Sequence, residues 1–332
     1  MTMTRDPVVP FGPHVLDFDV AAECRRLEQW LRDSIAKELH RRGAVVAVSG
    51  GVDSSVCLAL SVRALGAARV RALAMPGAGS TETSALLARK LCAELGVELH
   101  TIDIAPALAA LGGDRACDEA IARVFPDLPA GARHKIVVAE GLLERERANL
   151  FDLVAEAPDR TLRRARLPLD AYLQIVAATN RNQRVRKLLE YTEAEGHNYA
   201  VVGTPNRLEY ELGFFVRGGD GLADIEPIAH LYKTQVWALA EHLGLSTAIR
   251  EQTPSTETYT LPQTQEEFFF ALPLRQLDLL LWAHCHGVPA SAVAGAMGMA
   301  DDQVERVYRD IAWKRSAAAR LRRQPLVAES SP

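Results

Sequence analysis

The chain has 332 residues, of which 48% are hydrophobic and 24% charged, a balance that fits one large globular α/β domain or two unequal ones. The formal net charge of −4 supplies no overall basic field for nucleic acid. No apolar run approaches the roughly 20 residues needed to cross a bilayer, and the first residues lack the basic and apolar regions of a signal peptide.

In chain order, residues 19–39 place Val20, Cys24, Leu27, Leu31, Ile35 and Leu39 at helical spacing, and Gly43 ends the pattern. The continuously apolar run 44–49 fits a parallel strand buried on both faces. Residues 56–65 return to helical character and stop at Gly66. A second strand is predicted over 70–76, a second helix over 84–95 and a third strand over 97–104. From about 113 to 168 the pattern loosens into a helical insertion with a basic run near its end. A helix resumes over 170–195, a strand over 199–204 and a helix over 234–244. The stretches 277–282, 288–297 and 301–321 make a helical tail. Strands alternating with helices of this length predict an α/β, doubly wound, Rossmann-like parallel sheet, with ligands at the carboxyl edge. The domain reading is an N-terminal helical segment over 1–40, a nucleotide-binding domain over 41–270 with the insertion, and a tail over 271–332.

The five cysteines, Cys24, Cys57, Cys92, Cys117 and Cys285, are odd in number and widely spaced. Reduced thiols in a cytoplasmic protein are expected. His284, Cys285 and His286 have no second pair at zinc spacing, so they read as a helix end.

The chemistry concentrates in Ser49-Gly50-Gly51-Val52-Asp53-Ser54-Ser55, set between a buried strand and a helix. The two glycines allow close approach of an anion and dihedrals closed to other residues. The following helix points its free N–H groups and positive dipole end at the same spot. Ser49, Ser54 and Ser55 add hydroxyls, and Asp53 suits a Mg²⁺ ligand between carboxylate and phosphate. A GxxxxGK[ST] sequence is missing, so no loop lysine reaches for a transferred γ-phosphate.

This loop resembles the pyrophosphate loop of N-type ATP pyrophosphatases, of the adenine nucleotide alpha hydrolase-like fold. The stretch 203–233, GTPNRLEYELGFFVRGGDGLADIEPIAHLYK, resembles the signature of the NAD+ synthase family. So do Asn180 and Arg184 in TNRNQRVR, Pro254-Ser255, and PQTQEE at 262–267. The resemblance covers roughly 40–110 and 170–325. It implies a ligase, ammonia-dependent and homodimeric, that adenylates the carboxylate of deamido-NAD+ with ATP and amidates it with ammonia. It further implies that Ser49, Gly50, Gly51, Val52, Asp53 and Ser54 hold the ATP phosphates, and that Thr204, Lys233 and Ser255 contact ATP. Asp53 and Glu209 would hold Mg²⁺. Asn180, Arg184, Arg217 and Asp224 would bind the acid. Asp53, Asp220 and Lys233 would serve catalysis, with Asp220 near the ammonia.

Elementary chemistry agrees with that division. A carboxylate attacking a phosphate needs cations, here Mg²⁺, Lys233 and Arg184. A carboxylate such as Asp220 can bind NH₄⁺ and take its proton. The family usually has lysine where Arg217 stands, and its C-terminal His-Lys pair finds only Trp313-Lys314 or Arg320-Leu321 here. Only 43 residues precede the first strand, too few for a glutaminase domain, so ammonia is expected from solution or a separate protein. Another carboxylic acid remains an alternative substrate. A tRNA-adenylating enzyme would call for a basic surface and paired cysteines. Residues 291–311, with Gly298 at the turn, also resemble a DNA-binding helix-turn-helix.

Overall fold

A computed structural model of the chain describes residues 11–77, 80–138, 151–255 and 258–328. Helix α1 (Val20–Asp33) is capped by Asp19, whose carboxylate accepts from the Ala22 N–H at 2.9 Å. Strand β1 (Ala44–Ala47) leads into α2 (Val52–Leu65), then β2 (Val70–Ala74), α3 (Glu82–Leu95) and β3 (Leu99–Thr101). Short α4 (Ala105–Ala110) and α5 (Gly113–Val124) precede β4 (His134–Val138), β5 (Phe151–Glu156) and β6 (Leu162–Arg166). The long α6 (Leu169–His197) returns the chain to β7 (Ala200–Val202). There follow α7 (Arg207–Leu212), α8 (Lys233–His242), α9 (Thr247–Arg250), α10 (Leu274–Cys285), α11 (Ala290–Met297) and α12 (Asp301–Leu321).

The main sheet is parallel, ordered β3-β2-β1-β7. Val45 and Val46 of its central strand are both fully buried, as an apolar strand covered on two faces requires. The order reverses beside β1: β2 and β3 lie to one side and β7 to the other. A crevice therefore opens at the carboxyl end of β1, directly above the Ser49–Gly51 loop.

The insertion is only partly helical. Beyond α5 it folds into a three-stranded antiparallel sheet, β4-β5-β6. Ile136, Leu153 and Ala155 pack from this sheet with Cys117 and Ile121 of α5 and Ala171 and Ile175 of α6 into a separate core. The basic run hides a strand because Arg164 and Arg166 both pair with Asp152 of the neighbouring strand, at 2.8 and 3.0 Å. Residues 139–150 of the insertion lie outside the described residues, as do 1–10 of the N-terminal segment and 329–332 of the tail.

The tail builds a second helical core, in which Leu277, Leu280 and Leu281 of α10 meet Val293 of α11, Val304, Val307 and Ile311 of α12, and Leu208 and Leu212 of α7. The apolar spacing that resembles a helix-turn-helix, with Gly298 left-handed at φ 65°, belongs to this packing. All five cysteines are free thiols, four of them buried. His286 stacks on Trp282 at 3.9 Å between ring centroids, and the Cys285 Sγ donates to Glu211 at 3.8 Å. Among the described residues, no helix is long and apolar enough to cross a membrane.

Candidate active site

The carboxyl edge of the main sheet opens into a cleft of about 550 Å³. One wall is the loop after β1. Gly50 has φ +85°, and a Cβ there would stand 2.4 Å from the Ser84 carbonyl oxygen, so this turn needs glycine twice over. Gly51 is ordinary, with φ −78°, and forms the N-cap position of α2. Only one of the two glycines therefore uses the dihedral freedom expected of both.

The loop's hydroxyls hold its shape. The Gly51 N–H donates to Ser49 Oγ at 3.2 Å, and Ser54 Oγ donates to the Gly51 carbonyl at 3.1 Å. Ser49, Gly51, Val52, Asp53 and Ser54 all line the cleft. Ser55 does not reach it: fully buried, it donates to the Gly51 carbonyl at 2.8 Å. The N-terminus of α2 presents its free N–H groups to the cleft, the arrangement that receives phosphate elsewhere.

Two further elements bring charge to this spot. Lys233, the first residue of α8, is 1% exposed, and its ammonium is ion-paired with Asp53. Glu209 lies on α7, whose first turn is a capping box. Asn206 Oδ1 accepts from the Glu209 N–H at 3.2 Å, and Glu209 Oε2 accepts from the Asn206 N–H at 3.1 Å. The Asn206 amide also donates to Asp53 at 3.3 Å, and the Gln265 amide donates to Glu209 Oε1 at 3.0 Å.

Asp53 and Glu209 thus meet across one asparagine. Burial first, and then the charge of Asp53, pushes the Glu209 carboxyl up to about 8. The Gln265 Oε1 beside them is buried without a partner. A divalent cation seated here would offset both the repulsion and the desolvation, and two carboxylates with an amide oxygen form the hard donor set that Mg²⁺ accepts. Among the described residues no three His, Cys, Asp or Glu side chains cluster tightly enough to enclose a metal alone. Nucleotide phosphates and water would complete such a shell.

The remaining candidates divide. Thr204, Ser255, Asn180 and Asp220 line the cleft. Asp220 Oδ1 accepts from the Val216 N–H at 2.7 Å, and the surrounding protein raises its pKa by desolvation although its surface faces the opening. Arg184, Arg217 and Asp224 are absent from the lining. Both arginines are exposed. Arg184 Nε donates to the Arg217 carbonyl at 3.3 Å, and the Arg217 guanidinium donates to the Arg323 carbonyl at 3.3 Å. The Asp224 carboxylate accepts from the Val201 N–H at 2.8 Å and from the Tyr191 hydroxyl at 3.3 Å, which ties it to β7 and α6.

Sequence reasoning missed three groups. Lys187 and Glu190 line the cleft as an ion pair at 2.7 Å with each side chain only 5% exposed. Their i, i+3 spacing on α6 reads as an ordinary solvated pair. Asn206 carries a legible signal, since Asn-x-x-Glu is capping-box spacing. Of the C-terminal candidates, Lys314 is buried against Phe269 and Asp310, with its pKa lowered by desolvation. Leu321 reaches the cleft, and the Arg322 guanidinium lies over Tyr210 at 3.9 Å.

A parallel sheet, a glycine-serine loop after its central strand and a helix N-terminus facing the cleft define a nucleotide-binding protein of the adenine nucleotide alpha hydrolase-like fold. Solved structures of "NMN synthetase" from Francisella tularensis and of "NH3-dependent NAD synthetase" from Campylobacter jejuni share that fold. The first has a TM-score of 0.64 at 23% identity, covering 95% of this chain and 100% of that one. The second has a TM-score of 0.62 at 20% identity, with coverage of 94% and 100%. The sequence model of the NAD synthase family matches residues 23–150 and 131–318. The chain is also 46% identical over 314 residues to the "NH(3)-dependent NAD(+) synthetase" of Mesorhizobium japonicum, covering 95% of this chain and 98% of that protein. This chain belongs to the NAD synthase family.

Proposed function

We propose that this chain is an ATP-dependent, ammonia-using ligase that converts deamido-NAD+ to NAD+, with AMP and pyrophosphate as by-products. The observation that carries the reading is the meeting of Asp53, Glu209 and Lys233 at the N-terminus of α2. The surrounding loop, SGGVDS, has no lysine placed to follow a γ-phosphate.

The substrate carboxylate attacks the α-phosphorus of ATP; the bond to the β-phosphate oxygen breaks and pyrophosphate leaves. The N–H groups of α2 and the hydroxyls of Ser49 and Ser54 receive the phosphates, with Gly50, Gly51 and Val52 shaping the turn. Lys233 offsets charge in the transition state, where such stabilisation counts most. Thr204 and Ser255 flank the nucleotide. Asp53 and Glu209 would hold Mg²⁺, which when bound neutralises phosphate charge and polarises the reacting phosphoryl group. Asn180, on the cleft wall, would contact the acid, and the exposed Arg184 and Arg217 would meet the far half of a dinucleotide, while Asp224 braces β7. Asp220 accepts a proton from NH₄⁺; the resulting NH₃ attacks the acyl carbon, AMP leaves, and a second proton departs as the amide forms. Solution or a separate protein supplies the ammonia, the enzyme works in the cytoplasm, and it acts as a homodimer.

The test incubates purified chain with ATP, Mg²⁺, ammonium and deamido-NAD+. AMP, pyrophosphate and NAD+ are expected in equal amounts. Formation of ADP in their place overturns the adenylation reading. Amidation of a simpler acid, with deamido-NAD+ inert, leaves the ligase class and removes the dinucleotide.

A further inference from the structure

Lys233 stands at the first position of α8, where the helix leaves N–H groups without intrahelical partners. They are met by Asp278, which is fully buried in the middle of α10, 45 residues downstream. Asp278 Oδ1 accepts from the Lys233 N–H at 3.1 Å. Its Oδ2 accepts from the Thr234 N–H and from Thr234 Oγ, each at 2.7 Å.

Three donors on two consecutive residues therefore converge on one carboxylate. Their backbone sets where the Lys233 side chain begins. That side chain ends at Asp53 in the cleft and passes 5.9 Å from the Trp237 ring, measured from Nζ to centroid. Trp237 itself packs against both the sheet core and the helical C-terminal core. A buried carboxylate costs free energy unless its lone pairs are filled. An apolar residue at this place would leave the Lys233 N–H and both Thr234 donors without this acceptor, so the acid is tied to the start of α8.

We propose that Asp278 is the positioning residue of the site: it clamps the start of α8 so that the Lys233 ammonium stays aimed at the phosphate position, and through it the C-terminal helical layer governs the adenylation step. The inference rests on the role given to Lys233 above. A displacement of about 1 Å at a charge-stabilising group costs on the order of a hundredfold in rate, so a clamp of this kind acts on turnover more than on ATP affinity.

The experiment measures ATP–pyrophosphate exchange with deamido-NAD+ present, in the full chain. Asp278→Asn keeps the shape but replaces one acceptor with a donor facing an N–H group. Its kcat should fall about tenfold or more, with the KM for ATP within about twofold. The same substitution in a Lys233→Ala background should cause no further loss, because a residue acting through Lys233 has nothing left to position. Normal kcat in folded Asp278→Asn overturns the proposal, as does an equal loss with and without Lys233. If Asp278→Asn does not fold, Thr234→Val decides, since it removes only the hydroxyl bond: a lowered kcat that vanishes in the Lys233→Ala background supports the clamp, and an unchanged kcat overturns it. Full exchange in Lys233→Ala alone would instead remove the lysine from the site, a failure of the functional reading and not of the clamp.

Discussion

The two ends of the cleft are built differently. At the phosphate end, Asp53, Glu209 and Lys233 arrive from three helices and meet within hydrogen-bonding reach of shared partners. Each side chain is fixed by its own helix start: the Gly51 turn, the Asn206 capping box and the Asp278 clamp. At the acid end, Arg184 and Arg217 lie outside the cleft with their guanidinium groups on backbone carbonyls, and Asp224 braces β7. The proposed phosphate end thus draws its three charged groups from one chain. Recognition of a long acid substrate needs either movement at the rim or a surface contributed from elsewhere, which a homodimer would supply.

The sharpest test of this contrast is at the phosphate end. Asp53→Asn and Glu209→Gln should each lower adenylation by about 100- to 1,000-fold, the range for losing one preorganised electrostatic contact. Circular dichroism and thermal melting should still report a folded chain. Near-normal turnover in either folded variant would take that carboxylate out of the site and erase the difference between the two ends.

A middle-sized effect separates structure from recognition at the acid end. Asp224→Asn disturbs two hydrogen bonds, one to the Val201 N–H, and should lower stability by about 1–3 kcal/mol. Read by denaturant midpoint, that loss should leave the KM for deamido-NAD+ within about twofold. A selective rise in KM without a stability change would return Asp224 to substrate binding. Arg217→Ala is the smaller companion: an exposed arginine contacting ligand should change KM by about tenfold or less, with kcat preserved.

The smallest effect concerns pH and the helical layer. Burial raises the Asp278 carboxyl to about 6, above the usual aspartate value near 4. The folded chain then holds a proton that the unfolded chain has released. This group's contribution to stability is present below about pH 4 and is lost as the pH climbs through about 6. Thermal melting across that window should slope downward for the native chain relative to Asp278→Asn. Parallel slopes would show that Asp278 titrates as it would in water.

The same division governs what could be read from residues alone. Val45, Val46 and the Ser49–Ser54 run announced a buried strand, a turn and a helix start, because apolar runs and glycine are local signals. The 113–168 segment concealed a sheet, because Leu162–Arg166 looks like a solvated basic run until Asp152 of the neighbouring strand pairs with Arg164 and Arg166. Charge neutralised across strands leaves no mark along the chain.

By itself, then, the sequence determined the alternating parallel-sheet core and the glycine-serine loop, which depend on neighbours within a few residues, and the family, which depends on the joint spacing of several motifs along the chain. Tertiary structure alone decided that Lys233 should reach Asp53 and that Asp278 should hold the helix carrying it. It also decided that Ser55 should turn inward, and that Arg184, Arg217 and Asp224 should stand away from the cleft that Asn180 lines. Those outcomes depend on which helix ends share a buried space, and a buried charge or N–H group takes whatever partner the packing delivers, however distant in the chain.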